Sequence, residues 1–521
     1  MAEQRRLPEM AESVAPSAES AALEIRGERK LIPINRQQTM LAMIDVEELI
    51  GPDHKARAIW ELTGGLKLEE WEEGIRTSQG EVGRAAWDPR LLISVWVYGY
   101  SEKITSAREL ERVMEHEPGL QWLTGLKSIN HHTLSDFRVS RQKQLDQLFV
   151  DLLTVMQEAK LLNLDLVMHD GTKIRAQAGA DSFRREETVR ERLEQTRALV
   201  RTDPREAAGR SRREAAQQRA RQEMEQRLSQ AQEELEKIRE GRDENEKRQA
   251  RVSVSEPEAR RMKHGDNAFA PSYNLQVSTD AAHGVIVGVD LNQHSDDSHG
   301  LKPAMDEVKK NLGRDPQCVV ADGGYTNRQT IEEMEERKLE FIGSPCDPKE
   351  RSAAAMKSVG IDPRYAPHFF IFQEESDTLL CPEGKTLKYV RQSRKRDQRY
   401  RQYQAEGSAC ASCVRQKQCC PRSPWKGRTV SRREQEHAVV VKFREKMNTE
   451  AAQQIYRKRG AVAEFPFAWI KERFGLRKFR VRGLAKARME AKWACLVHNA
   501  MIWIRLCWPT RKTNPAVIAA A

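Results

Sequence analysis

The chain lacks an uninterrupted apolar run of the ~18 residues that a helix needs to cross a bilayer. The nearest approach, Trp493 to Trp508, is interrupted by His498, Asn499 and Arg505. Arg5 and Arg6 are not followed by the apolar core of a signal peptide, so a secretory leader is not expected. These two absences set membrane partners aside and lead to the expectation of a soluble, intracellular protein. Aromatic residues make up only 6% and hydrophobic residues 39% of the 521 positions, against 32% charged. A sizeable segment should therefore lie outside any core. Cysteine is scarce too: there are nine, five of them between 381 and 420. In a reducing compartment they are not expected to form a disulfide framework.

What is abundant is positive charge. The formal net charge is +11 and the pI near 9.1, which favours a polyanionic partner. The excess is concentrated. Residues 385–433 hold 15 Lys and Arg against only Asp397 and Glu406, a net +13. Tyr389, Tyr400, Tyr403 and Trp425 are interleaved with these cations. Cations neutralise a phosphate backbone and rings stack on bases, so this segment reads as a nucleic-acid surface.

Residues 1–29, rich in Ala, Ser and Glu without a sustained period, read as a disordered tail, and 510–521 as a frayed one. Helical signals dominate 30–160. Asp88 and Pro89 open a helix running through Leu91 to Tyr100, and Ser106 with Glu109 has capping-box spacing. Thr133 with Asp136 is a weaker version of the same device. Two readings of this all-α domain stay open. It binds DNA in the helix-turn-helix manner, with Arg138, Arg141 and Lys143 on phosphates, or it only packs on the rest of the chain.

An insertion is expected over 183–261. Within 184–250 there are 18 Lys and Arg and 16 Asp and Glu, a balance unsuited to a phosphate surface. Met224, Leu228, Ala231, Leu235 and Ile238 repeat at the spacing of a coiled-coil seam, with Val189, Leu193 and Leu199 a poorer first limb. Asp203 and Pro204 would start the second limb. This reads as a helical hairpin projecting from the core as a dimerisation arm; the alternative is a single, partly formed helix.

Two aspartates each follow an apolar run and precede glycine: Asp170-Gly171 after Leu164 to His169, and Asp322-Gly323-Gly324 after Cys318 to Ala321. Singly, each reads as a strand entering a turn. Their setting is more informative. After Asp170 come a hairpin (273–279 and 285–291), a helix (301–312), the Asp322 strand, a helix (327–338) and a strand at Phe341. Late in the chain, Tyr456, Arg459, Glu464 and Lys471 bring a carboxylate together with a ring and two cations. Seven residues, two helical turns, put Glu464 and Lys471 on one face. Pro466 argues for a helix starting there, with Glu464 at its mouth.

These segments resemble the DDE transposases of bacterial insertion sequences, in the branch with a Tyr-Arg-Glu-Lys signature. The carriers are Asp170-Gly171-Thr172-Lys173-Ile174, Ala321-Asp322-Gly323-Gly324-Tyr325, and Tyr456-x2-Arg459-x4-Glu464-x6-Lys471. The arginine-to-glutamate spacing is one residue longer than the family's. The resemblance implies an α/β fold, a ribonuclease-H-like mixed sheet flanked by helices. This core would occupy 161–345 and 434–509, with a basic Cys-rich insertion at 346–433. It implies catalytic Asp170, Asp322 and Glu464, and DNA contacts from Tyr456, Arg459 and Lys471. The same acids would hold two Mg²⁺ about 4 Å apart, with Mn²⁺ able to substitute. Asp170 would bridge the ions. The implied activity is binding of terminal inverted repeats, cleavage at their 3′ ends and joining to target DNA. The implied setting is a bacterial cytoplasm, at the nucleoid, with a homodimer holding both ends. Two other classes remain: a transposase-derived DNA-binding protein without catalysis, and a metal-dependent endonuclease without joining.

Cys381, Cys410, Cys413 and Cys419, with Cys420 as rival fourth ligand, could form a tetrahedral structural Zn²⁺ site; the alternative is a reduced cluster without metal. Cys318, Cys346, Cys495 and Cys507 read as buried thiols.

Overall fold

The structure is a computed structural model that describes residues 43–73, 85–201, 212–344, 356–395, 398–422, 424–433 and 437–513. The chain divides into two units, 1–45 and 46–521, the first of which lies almost wholly outside the described residues. The expected tail 1–29, the break at Asp203-Pro204 and Cys346 also fall outside them.

The region before the first long strand is helical, over Lys55–Gly64, Glu69–Glu72, Pro89–Ser101, Ala107–Val113, Pro118–Thr124, His131–Ser140 and Gln142–Glu158. Helix Pro89–Ser101 starts as its sequence dictates: the Asp88 side chain accepts the Arg90 amide at 2.7 Å, with Pro89 in the first turn. Two expected caps differ. Ser106 precedes Ala107–Val113 but makes no side-chain cap bond. Thr133 lies inside a helix that begins two residues earlier, where Asn130 accepts the His132 amide at 2.8 Å. Ile59, Trp96 and Leu148 of these helices belong to the same continuous apolar core as Val320, Trp493 and Trp503.

From 166 to 343 the strands are β1 (Leu166–Arg175), β2 (Phe183–Arg184), β3 (Val252–Ser253), β4 (Arg260–Lys263), β5 (Phe269–Asp280), β6 (Ile286–Asn292), β7 (Cys318–Ala321) and β8 (Glu340–Gly343). The main sheet is mixed, in the order β6-β5-β1-β7-β8, with β4 beside the start of β5. β1 runs antiparallel to β5 and parallel to β7, which is parallel to β8. The helix Leu301–Leu312 lies where its apolar period predicts, and Arg328–Glu336 is capped by Asn327. β1 does not stop at Asp170. Because β5 is twelve residues long, pairing continues to Arg175, so Asp170 is mid-strand and Gly171 is a strand glycine.

β2 and β3 form a short ladder at the root of two helices, Glu186–Arg201 and Arg212–Arg239. Arg239 pairs with Glu186 at 2.8 Å and Arg197 with Glu225 at 3.5 Å, so the helices run antiparallel. Val189, Leu193, Leu228, Ala231 and Leu235 are buried between or beneath them, whereas Leu199 and Met224 are exposed. Only the root half of the expected seam is therefore covered.

The basic segment forms a sheet that its sequence does not announce. Its strands are β9 (Ile371–Gln373), β10 (Thr378–Leu380), β11 (Thr386–Lys395), β12 (Gln398–Ala405) and β13 (Thr429–Arg433), antiparallel in the order β13-β12-β11-β10-β9. It has its own small core of Phe370, Leu379, Leu387, Tyr403, Ala405 and Val430.

The last helix, Leu484–Thr513, extends past the expected start of fraying at 510. It packs on β6 and on the early helices. Asn499 bonds both the amide and the carbonyl of Ile286 at 2.8 Å, so each end of its buried side-chain amide has a partner.

Candidate active site

Register brings the two aspartates together. In the parallel pair β1 and β7, His169 lies opposite Ala321, so the next residues along the two strands are Asp170 and Asp322. The Gly324 amide donates to Asp322 Oδ1 at 2.7 Å, and the Gly171 amide donates to Asp170 Oδ1 at 2.8 Å.

The late cluster arrives from the other end of the chain. Tyr456 lies in the last turn of the helix Glu450–Arg457, and Arg459 begins Arg459–Ala468. Arg459 Nη1 donates to Asp170 Oδ2 at 3.2 Å, and its Nη2 lies 3.9 Å from Glu464 Oε1. The guanidinium also lies 5.9 Å from the Tyr456 ring centre. Lys471 Nζ donates to Thr172 Oγ1, two residues beyond Asp170 on β1. The residues singled out from sequence thus converge, although Glu464 keeps 68% of its side chain exposed.

The local backbone differs from the expected one. Glu464 is inside a helix rather than at its mouth, and Pro466 is accommodated within the same helix. Proline lacks the N–H that would bond the Val462 carbonyl, and within three residues the helix widens into the π-helical turn Trp469–Arg473. That widening changes the phase between Glu464 and Lys471, so two regular turns do not describe their relation.

Burial raises the Asp170 carboxyl to about 6; the Gly171 amide and Arg459 oppose the rise, while Asp322 and Asp297 add repulsion. Burial together with Arg477 lowers the Lys471 ammonium, against the pull of Asp170. Among the described residues, no three His, Cys, Asp or Glu side chains are arranged to hold a metal ion. Arg459 is instead the cation that Asp170 and Glu464 share.

Asp297 is the residue that the sequence reading missed. Asn274 Nδ2 and Gln276 Nε2 donate to its Oδ1 at 2.8 and 2.9 Å. A Cβ on Gly171 would lie 2.9 Å from that same oxygen and 2.4 Å from Gln276 Nε2. Gly171 is therefore the space Asp297 and its partners need, as strand glycines at close approaches often are. A signal was present: Ser272, Asn274, Gln276 and Ser278 alternate along β5 and are all buried, and such a polar row demands polar partners. Behind it, His169 bonds Gln276 Oε1 and Ser278 Oγ at 2.9 Å each. Burial holds that imidazole down at about 4 despite the Gln276 bond.

Elsewhere the expectations need correction. Arg138 is buried rather than poised for phosphate: its Nη1 donates to Thr105 O at 2.7 Å, and its guanidinium lies 3.8 Å from the fully buried Glu490 and over the Trp96 ring. Arg141 Nη1 donates to Trp71 O at 2.7 Å, while Lys143 is exposed. Of the rings in the basic sheet, Tyr389 and Trp425 are exposed, but Tyr403 is fully buried with its hydroxyl on Asp377 at 2.9 Å. Cys381, Cys410, Cys413, Cys419 and Cys420 line one pocket at the end of that sheet, beside Lys385 and Arg428.

Residues 380–501 match a family model described as a transposase DDE domain, and 44–140 match one described as a transposase domain (DUF772). The first match contains Glu464 and the cysteines; Asp170 and Asp322 lie outside both. No curated protein matches the chain. The two matches support a DDE transposase of an insertion sequence, an enzyme class that cleaves DNA and transfers strands, and the mixed α/β fold is consistent with it. No helix among the described residues is long and apolar enough to cross a membrane.

Proposed function

We propose that this chain is a DNA transposase that binds the terminal inverted repeats of its insertion sequence, cuts their 3′ ends and joins them to target DNA. One observation carries the reading. Asp170 and Glu464, 294 residues apart in sequence, converge on the Arg459 guanidinium, with Asp322 next to Asp170 by strand register. The strand order β6-β5-β1-β7-β8, with antiparallel and then parallel pairs, supports a ribonuclease-H-like core.

In donor chemistry alone the acids suit divalent metal: carboxylate oxygens from β1, from the turn after β7 and from a helix, two of them paired with the Arg459 guanidinium. Asp170, Asp322 and Glu464 would hold Mg²⁺, with Mn²⁺ a substitute. When bound, the metal supplies an activated oxygen nucleophile and stabilises charge on the leaving 3′ oxygen. The chain's own cations have separate tasks. Arg459 keeps the half-buried Asp170 ionised while the acids are unfilled, and with Tyr456 and Lys471 it contacts the transposon-end strand. Two ends held at once call for a dimer, for which the antiparallel helical pair at 186–239 is the arm.

The basic sheet takes duplex DNA through its exposed cations and rings, among them Arg391, Arg399, Arg432 and Tyr389, with Trp425 in the turn that precedes β13. At its end we place a structural Zn²⁺ on Cys381, Cys410, Cys413 and Cys419, with Cys420 as the rival fourth ligand. The Lys385 amide donates to Cys381 Sγ at 3.1 Å and the Arg428 amide to Cys410 Sγ at 3.3 Å. Each donor follows a glycine in the left-handed region, Gly384 at φ 75° and Gly427 at φ 77°. A core of six side chains is small enough to need a staple. Purified protein should carry one zinc equivalent, lost in Cys410→Ser with a fall in melting temperature; a zinc-free wild type of equal stability would rule the staple out.

The main reading is tested on the DNA flanking the element in Mg²⁺, comparing wild type with Asp322→Asn and Glu464→Gln. Cleavage that needs all three acids, followed by joined products, supports it. Cleavage without joining indicates an endonuclease. Binding without cleavage, in Mn²⁺ as well, indicates a DNA-binding descendant.

A further inference from the structure

We infer that Asp297 is a fixed outer carboxylate for the divalent cation of this site, a positioning residue that receives the ion's water rather than a fourth direct ligand. The inference rests on the reading of Asp170, Asp322 and Glu464 as a cation site.

The hydrogen-bond pattern behind Asp297 is directional. Tyr325 Oη–H donates to Gln276 Oε1, and His169 Nε2 lies 2.9 Å from the same oxygen. The other ring nitrogen of His169, Nδ1, lies 2.9 Å from the Ser278 hydroxyl, so both ends of the imidazole are engaged behind Gln276. With Gln276 Oε1 committed as an acceptor, the other end of the amide, Nε2–H₂, faces Asp297. Asn274 presents a second amide to the same carboxylate oxygen. The side-chain bonds to Asp297 Oδ1 are both from donors, which hold that oxygen in place.

Its position is equally constrained. A Cβ on Gly171 would meet Asp297 Oδ1 at 2.9 Å, and one on Gly324 would lie 3.6 Å from Asp297 Cβ and 2.9 Å from Asp322 Oδ1. Asp297 is therefore wedged between the glycine that follows Asp170 and the second glycine that follows Asp322. Its negative charge reaches Asp170, where it adds to the repulsion from Asp322. The main chain is pinned as well: the Ser298 carbonyl accepts from Asn327 Nδ2 at 2.7 Å, tying the loop to the turn beyond Asp322. Three carboxylates, from the central strand β1, the turn after β7 and one loop, with Arg459 as the near cation, leave an anionic wall. A hydrated divalent ion fits such a wall because it brings both charge and hydrogen-bond donors.

Asp297→Asn separates charge from shape. Its side-chain oxygen can still accept both amides, so the network behind it survives. Full-length wild type, Asp297→Asn and Asp170→Asn are titrated with Mn²⁺ in the absence of DNA, by electron paramagnetic resonance of the free ion, with melting curves on each. Asp297→Asn is expected to melt like wild type and to bind Mn²⁺ about tenfold more weakly. The Mg²⁺ midpoint for DNA cleavage should rise in parallel, with cleavage at saturating metal changed less. Mn²⁺ uptake equal to wild type would reduce Asp297 to a structural residue and overturn the inference, leaving the main reading intact. A wild type that takes up no Mn²⁺ would overturn both. If Asp297→Asn does not fold, Asn274→Ala carries the test, since it releases one of the two amides that fix the carboxylate. It should weaken Mn²⁺ uptake several-fold, and unchanged uptake would again overturn the inference.

Discussion

Arg459 donates to Asp170 at 3.2 Å across 289 residues of chain. This one bond joins the middle strand of the main sheet to a helix that the sequence supplies after two insertions. It also gives a half-buried carboxylate, pushed up to about 6, a counter-charge before any metal arrives.

If that guanidinium holds the place of an ion, removing it should help the metal and harm the chemistry. Arg459→Ala is expected to bind Mn²⁺ roughly tenfold more tightly, the equivalent of one charged hydrogen bond of about 1.5 kcal/mol. Cleavage of the element's ends should fall at the same time. Titration of Mn²⁺ beside a cleavage assay distinguishes this from an arginine that only supports the fold, whose loss would weaken both.

Arg138 and Glu490 face each other in the core, at 4% and 0% side-chain exposure. The Glu490 carboxylate also accepts the Arg480 amide at 2.9 Å. Removing one member of a buried pair leaves an uncompensated charge, so Arg138→Ala should cost about 3–5 kcal/mol in urea unfolding. Arg138→Met combined with Glu490→Leu should recover much of that. A phosphate-binding arginine would behave oppositely, weakening DNA affinity with little effect on unfolding.

Two rings of the basic sheet should separate cleanly. Tyr403→Ala removes a fully buried side chain from a six-residue core and is expected to destabilise that sheet by about 3–5 kcal/mol, seen as early proteolysis between 371 and 433. Trp425→Ala, two-thirds exposed, should leave stability within about 0.5 kcal/mol and lower DNA affinity, measured by fluorescence anisotropy.

His498 makes the fold acid-sensitive. Burial depresses its imidazole to about 4, and among the described residues its Nδ1 has no hydrogen-bond partner to accept a second N–H. Because the folded value lies below the unfolded one near 6.5, the stability it contributes is complete above pH ~6.5 and is lost as pH falls towards 4. His498→Gln should therefore lose up to ~3 kcal/mol less than wild type between pH 7 and pH 4, read from denaturation midpoints.

These examples also show which features the sequence makes legible. Helix Leu301–Leu312 is visible because its apolar residues keep one period on one face, and the strand before Asp322 because it is wholly apolar. The convergence of Asp170, Asp322 and Glu464 is not visible in spacing; only the family resemblance suggested it. Asp297 was hidden because an aspartate in a polar loop resembles any turn residue until the buried amides of β5 are seen to point at it. The basic sheet was hidden for the opposite reason. β11 and β12 are so rich in Arg, Lys and Gln that no alternation of apolar residues marks them. Arg138 misled because a cation on a helix is usually solvated, and nothing in the sequence near it announces Glu490.

The helix Leu484–Thr513 has a consequence for biosynthesis. It lies against β6 and the early helices, and Asn499 completes the backbone bonding of Ile286. Trp493 and Trp503 share a core with Ile59 and Trp96, residues translated more than 390 positions earlier. At roughly 5–20 residues per second, the first helices wait tens of seconds for the segment that covers them. Until then their apolar faces must be shielded by provisional contacts or by chaperones.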